Sequence, residues 1–292
     1  DMIQATKNKE KDLANLEYIW KKLQGFNVPF YTLIGNHELK SVESNKEIMD
    51  VLGYENATYG VDVNGYHLLF IGTDVNEEDE KYRTQYISDK DLAWIAEDLD
   101  ANSDKKVIIF SHFGIAEDEM KGNFYYDKNP EGGMIINREK LKEILHKHKN
   151  ILSVFCGHQH WTKAIRENGV PYYMLGALTE NMNWDGIPDG VYFDVNAIDD
   201  IVRVREGHLK IDLKRKIVEK DDDAKSYWDT EIETGRMKRA VIDIFFDSFF
   251  QLFIIIAQER TACKDKKRGP SFLCPPIAKV YTAPFRAKAR IK

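Results

Sequence analysis

Cysteine is scarce in this chain of 292 residues: Cys156, Cys263 and Cys274 are all it has. An odd, scattered set offers no disulfide framework and no CxxC zinc pattern, and it points to a reducing, cytoplasmic compartment. A long apolar run is also missing. The best candidate, residues 240–257, is interrupted by Asp243 and Asp247. Its uncharged part, 248–257, falls short of the ~20 residues that cross a bilayer. Positive charge is not in excess either: the formal net charge is -6, which argues against a nucleic-acid partner. The sequence shows no internal repeat. It starts at Asp1 with neither an initiator Met nor a leader-like segment.

The charge that is present is unevenly spread. Residues 258–292 carry ten Lys or Arg against Glu259 and Asp265, a local net of +8, so residues 1–257 hold the balance of -14. Hydrophobic residues make up 43% of the chain, enough for a sizeable core. Leu13, Leu16, Trp20 and Leu23 repeat at helical spacing over 9–24, with Gly25 as the stop. Residues 28–34 read as a buried strand and 45–52 as a helix. Segments 59–63 and 66–71 flank Asn64-Gly65, a strong hairpin signal. Ser88 caps a helix with Asp91 as its capping-box partner. A short strand over 107–110, a helix entered at Asn137 and a buried strand over 151–156 follow. Beyond these, 161–167, 171–178, 190–196, 201–206 and 209–213 read as successive strands, with a turn at Gly207-His208. Alternating strands and helices followed by strands alone predict a mixed sheet packed on a second sheet, with helices outside. The pattern fades past about Val218. Residues 1–217 therefore read as the catalytic domain and 218–292 as an appendage. Its basic tail suits a peripheral membrane segment, a disordered extension, or a stretch of shifted reading frame.

Three short segments concentrate the chemistry, each after an expected buried strand: Gly35-Asn36-His37-Glu38, Ser111-His112 and Gly157-His158-Gln159-His160. Sites in open α/β sheets assemble at the carboxyl ends of strands, so these scattered residues are expected to converge. Imidazole, amide and carboxylate oxygen together suit Mn, Fe or Zn. Gly157 permits a tight turn, and His158 and His160 can point to two neighbouring ions. Asn36 offers a neutral oxygen ligand. His37 can act on the substrate, with Glu38 orienting it. His67, His146, His148 and His208 read as structural: His146 and His148 do not share a helix face, and His148 lies on the apolar stripe.

These motifs, in this order, resemble the calcineurin-like metallophosphoesterase superfamily over residues 1 to about 215. Of its five signature motifs the last three are intact. Asp1-Met2-Ile3-Gln4 is similar to the second motif cut after its Gly, with Gln4 where that motif has a second carboxylate, and the first, D-x-H, is absent. The resemblance implies an α/β protein of the α+β sandwich kind, with two mixed β-sheets face to face flanked by helices. It implies two divalent metal ions, with Asp1 bridging both, Asn36, His112 and His158 completing one, and His160 binding the other. His37 would contact the phosphoryl oxygen or protonate the leaving group. A metal-bound hydroxide, made available near neutral pH by two ions ~3.5–4 Å apart, would attack phosphorus in line. A chain truly beginning at Asp1 would bind the second ion poorly and turn over slowly, and the absent first strand would leave a sheet edge open.

The substrate is less legible. Segment 114–134 is a long Gly-rich loop whose Phe124, Tyr125 and Tyr126 either stack on a nucleobase or pack the loop down. Trp161, next to the His pair, and Asn181, Asn183, Trp184 and Asp185 are candidates to line a pocket. A small phosphorylated or nucleotide substrate, cut at a phosphomonoester, phosphodiester or diphosphate bond, is the expectation. A protein serine/threonine phosphatase and a non-catalytic metal-binding relative are the alternatives.

Overall fold

The structure is a computed structural model and describes residues 1–26, 28–178, 190–198, 201–212, 217–220, 229–233, 240–245 and 254–258. The loop of Asn181, Asn183, Trp184 and Asp185, Cys263, Cys274 and the basic tail lie outside the described residues.

Three helices open the chain: α1 (Lys9–Leu23), the single turn α2 (Asn36–Leu39) and α3 (Asn45–Leu52). The hairpin β1 (Tyr59–Val63) and β2 (Tyr66–Ile71) turns where expected. Asn64 and Gly65 both take positive φ, 51° and 86°, as a two-residue hairpin turn demands. Helix α4 (Asp89–Ala101) is capped by the Ser88 side chain, which accepts from Asp91 N at 3.2 Å. Strand β3 (Lys106–Ser111), helix α5 (Arg138–Leu145) and strands β4 (Ile151–Cys156), β5 (Lys163–Glu167) and β6 (Val170–Met174) complete the first sheet. Its order is β1-β2-β3-β4-β6-β5, parallel from β2 through β6 with an antiparallel strand at each edge. The second sheet is built on β7 (Val191–Ile198) and β8 (Ile201–Asp212), with β9 (Ile217–Lys220), β10 (Asp229–Glu233), β11 (Ala240–Phe245) and β12 (Ile254–Gln258). Every described pairing in it is antiparallel. The expected boundary at 217/218 falls at the start of β9, inside this sheet.

The sheets meet face to face because alternate residues point the same way. Leu68 and Phe70, Ile108 and Phe110, and Phe155 and Tyr173 pack against Val191, Phe193, Val195, Val202 and Val204. The alternate set, Leu69, Ile71, Val107, Ile109, Val154 and Tyr172, faces the other way and buries Leu92, Ile95 and Leu99 of α4 with Leu141 and Leu145 of α5. A third cluster joins Met2 and Ile3 to Leu16 and Trp20 of α1 and Ile48, Met49 and Leu52 of α3.

Two expectations need correcting. Residues 28–34 form no strand. Leu33 and Ile34 are buried, but the Thr32 amide and carbonyl are both satisfied by the Tyr59 hydroxyl, at 3.1 and 2.6 Å, rather than by a neighbouring strand. Gly207-His208 is not a turn either. Strand β8 runs through it, pairing β7 on one side of that point and β9 on the other. Gly207 is needed for close approach: a Cβ there would collide with the Tyr192 ring.

Candidate metal centre

Strands β3 and β4 are parallel neighbours with Ser111 opposite Cys156, so the residues that follow them leave the sheet side by side. Gly157 N donates to Ser111 O at 3.3 Å and to His112 O at 3.0 Å, locking the two exits together. His158 and His160 then adopt φ of 65° and 48°. Such backbone costs on the order of 1–3 kcal/mol for a residue with a Cβ and persists only where the surroundings over-determine it. The left-handed turn thus falls on the histidines themselves, not on Gly157. Cys156, buried at the end of β4, has its thiol pushed up to about 12 by burial, which leaves it inert beside the site.

The other half of the centre comes from chain far away in sequence. Gly35 lies so close to Asp1 that a Cβ would strike the Asp1 carboxylate. His37 N donates to Asp1 Oδ1 at 2.8 Å. Glu38 is fully buried, and its oxygens accept from Gly35 N at 2.7 Å, Met2 N at 2.5 Å and Ile3 N at 2.9 Å. Its carboxylate clamps the segment that carries Asp1 onto α2.

Asp1, Asn36, His112 and His158 converge. Nε2 of His112 lies 3.0 Å from Asn36 Oδ1, 3.2 Å from His158 Nδ1 and 3.4 Å from Asp1 Oδ2. The ligating atoms of Asp1, His112 and His158 all fall within 4.8 Å of one another, and all three residues are buried. The tautomer of His158 follows from its other nitrogen. Nε2 lies 3.1 Å from the carbonyl of Gly132 and 2.9 Å from the Tyr126 hydroxyl. A carbonyl can only accept, so Nε2 carries the proton and Nδ1 turns a lone pair inward. Burial holds the pKa of both His112 and His158 well below the ordinary value, so both rings are neutral at pH 7. Three acceptors therefore surround one ring nitrogen, and one proton cannot serve all three.

A divalent cation can. One carboxylate, two neutral imidazoles and an amide oxygen are a donor set for Mn, Fe or Zn, so the residues present fit an ion. The Asn36 amide can serve either state. Turned by half a rotation, its nitrogen would donate to His158 Nδ1 at 2.9 Å, His112 Nε2 at 3.0 Å and Asp1 Oδ2 at 3.2 Å, and its oxygen would accept from Lys40 Nζ at 3.1 Å. Oxygen inward thus suits an ion, and nitrogen inward suits its absence.

The remaining expected residues sit around this cluster. Ala5 N donates to His37 Nδ1 at 3.2 Å, and Lys40 Nζ lies 3.3 Å from Nε2 of the same ring. His160 is half-buried, its ring edge-on to Tyr125 at 5.7 Å, and it is not one of the three clustered ligands. Trp161 is half-buried with Lys163 Nζ 5.0 Å over its ring. Segment 114–134 is pinned down. Arg138 grips Glu117 at 2.6 and 3.0 Å and Glu131 at 2.7 and 2.9 Å, and Asn123 donates to Gln159 O at 3.0 Å. Tyr126 and Gly132, the partners that fix His158, carry no motif. An aromatic loop residue near Gly-His-x-His was the only available hint.

The family model places the chain among known proteins. The chain matches the family model described as calcineurin-like phosphoesterase over residues 1–162. It is 27% identical over 152 residues to a probable glycerophosphodiester phosphodiesterase, GpdQ, of Arcobacter nitrofigilis. That alignment takes in 48% of this chain and 50% of that one, so the chain spans about half the length of its curated relative. Among solved structures it is similar to a dimetal phosphatase from Danio rerio, with a TM-score of 0.47 and 14% identity over 68% of this chain and 72% of that one. With more than half its length matched by that model, the chain belongs to the calcineurin-like phosphoesterase family.

Proposed function

We propose that this chain hydrolyses a small phosphodiester with the help of two divalent metal ions. The observation that carries the reading is the convergence of Asn36 Oδ1, His112 Nε2, His158 Nδ1 and Asp1 Oδ2. These residues would hold one ion, and His160 would contribute to a second. Bound divalent ions neutralise phosphoryl oxygens and lower the pKa of water. The rest is the work of the chain. Ala5 N–H occupies His37 Nδ1, so the proton of the neutral ring sits on Nε2, which faces outward beside Lys40. From there His37 donates to a phosphoryl or leaving oxygen. The Glu38 clamp and the Arg138 grip hold the two walls in place. The name of the curated relative favours a diester over a monoester or diphosphate. Trp161 and Phe124, the latter 59% exposed, would meet the rest of the substrate.

The test is a substrate panel with Mn²⁺: bis(p-nitrophenyl) phosphate, p-nitrophenyl phosphate, a nucleoside diphosphate and a phosphopeptide. The diester is expected to be cut fastest, with His37→Ala slower by roughly 10²–10⁴-fold. Preference for the phosphopeptide would instead make the chain a protein phosphatase. Equal rates for wild type and His37→Ala would refute the role given to His37.

A further inference from the structure

Lys40 follows α2 by one position and faces solvent at the edge of the metal centre. Among the described residues it forms no ion pair with a carboxylate. Its Nζ stands 3.3 Å from His37 Nε2. That approach is a meeting of two donors. The Ala5 N–H is fixed backbone and cannot turn away from Nδ1, so it decides the tautomer and leaves the proton on Nε2. An ammonium has three donors and no acceptor, so Lys40 cannot take that proton.

The Asn36 amide adds a third donor. When Oδ1 turns inward to the metal ligands, the other amide atom faces Lys40 Nζ at about the 3.1 Å that separates them in the reversed orientation. Lys40 Nζ thus lies 3.3 Å from the His37 ring and about 3.1 Å from the Asn36 amide, and one anionic oxygen can accept from both Lys40 and His37. Two donors 3.3 Å apart can both reach one oxygen at an ordinary ~2.8 Å.

We propose that Lys40 is a substrate-binding residue of this site, holding a non-bridging phosphoryl oxygen jointly with His37 Nε2–H. The inference rests on the phosphoesterase reading above and names the group that recognises the substrate's charge. Because Lys40 meets the same oxygen before and during reaction, its contribution is to binding rather than to the chemical step. An ion held by Asn36 Oδ1 would leave the amide nitrogen beside Lys40.

Inorganic phosphate is the probe, titrated calorimetrically into the full chain with and without Mn²⁺ and used to inhibit diester hydrolysis. Lys40→Gln is expected to weaken phosphate binding and raise KM by about tenfold, the scale of one charge-assisted hydrogen bond, with kcat little changed. Lys40→Arg should restore most of the loss. Lys46→Gln, on the exposed side of α3 and paired with Asp50 at 2.5 Å, should change neither. Melting curves for all three variants are expected to match wild type. Phosphate binding and KM unchanged in Lys40→Gln, equal losses in Lys46→Gln, or no phosphate binding by the wild type would each overturn the proposal. Failure of the functional reading looks different: a wild type that cuts no ester at all. The calorimetric comparison then still decides the role of Lys40.

Discussion

At the scale of single residues, His67 makes the sharpest statement about pH. Its Nδ1 lies 2.9 Å from Asp62 and its Nε2 2.7 Å from Asp98, so both nitrogens face carboxylates and the ring is held as imidazolium. Burial alone would lower its pKa, but the two carboxylates outweigh that and raise it above the ordinary value. A raised pKa stabilises the fold fully below the unfolded value of about 6.5, and the gain is lost as pH climbs through the folded value. Melting temperature should therefore fall as pH rises from 6 towards 9, and His67→Gln should flatten that slope. An unchanged slope in the variant would show that the fall comes from other groups. Tyr126 makes a second prediction. Tyr126→Phe removes one partner of His158 Nε2 but leaves the Gly132 carbonyl, so the tautomer survives. Mn²⁺ affinity, read by calorimetry, should drop by less than the roughly 10–100-fold typical of losing a ligand's outer partner. A full hundredfold loss would mean that the hydroxyl, not the carbonyl, orients the ring.

At the scale of elements, the inner face of the first sheet carries one row of rings across five strands. Tyr59, Phe70, Phe110, Phe155 and Tyr173 are successive register partners, with centroids 4.7, 5.1, 5.5 and 5.1 Å apart, all nearly parallel. Phe110 is the middle ring and fully buried. Phe110→Ala should cost about 3–5 kcal/mol in urea unfolding, because its neighbours cannot collapse into the gap without leaving register. A cost under ~1 kcal/mol would mean that the row packs loosely. The strands of this row were legible because their signals are local: alternation, the Asn64-Gly65 turn, and short apolar runs at 107–110 and 151–156. The misreadings come from tertiary overrides. Residues 28–34 look like a strand because they are apolar, yet a tyrosine hydroxyl takes the place of a ladder partner at Thr32. Gly207 looks like a turn, yet it makes room for a ring. Neither cause can be read from neighbours in sequence.

At the scale of the whole molecule, the proposed metal centre would act as a cross-link. Asp1, Asn36, His112 and His158 were legible as candidates from three short motifs and a chain start. Their supports were not: Glu38 on Met2 and Ile3, and Gly132 and Tyr126 on His158, are contacts across 26 to 36 positions that no motif encodes. The four candidate ligands join the first residues of the chain, α2, and the ends of β3 and β4. An ion bound only when all four are assembled binds the folded chain and not the unfolded one, so it must stabilise the whole fold. At a hundredfold excess over Kd that linkage amounts to about 2.7 kcal/mol. For a chain of this size, a melting temperature higher by roughly 5–10 °C follows. Mn²⁺ should produce that rise and EDTA should reverse it. His112→Ala should lose the rise while keeping a cooperative transition, since it removes the nitrogen that all three other ligands face. If His112→Ala kept the full Mn²⁺-dependent rise, the ion would be bound elsewhere, and the centre described here would not be the metal site.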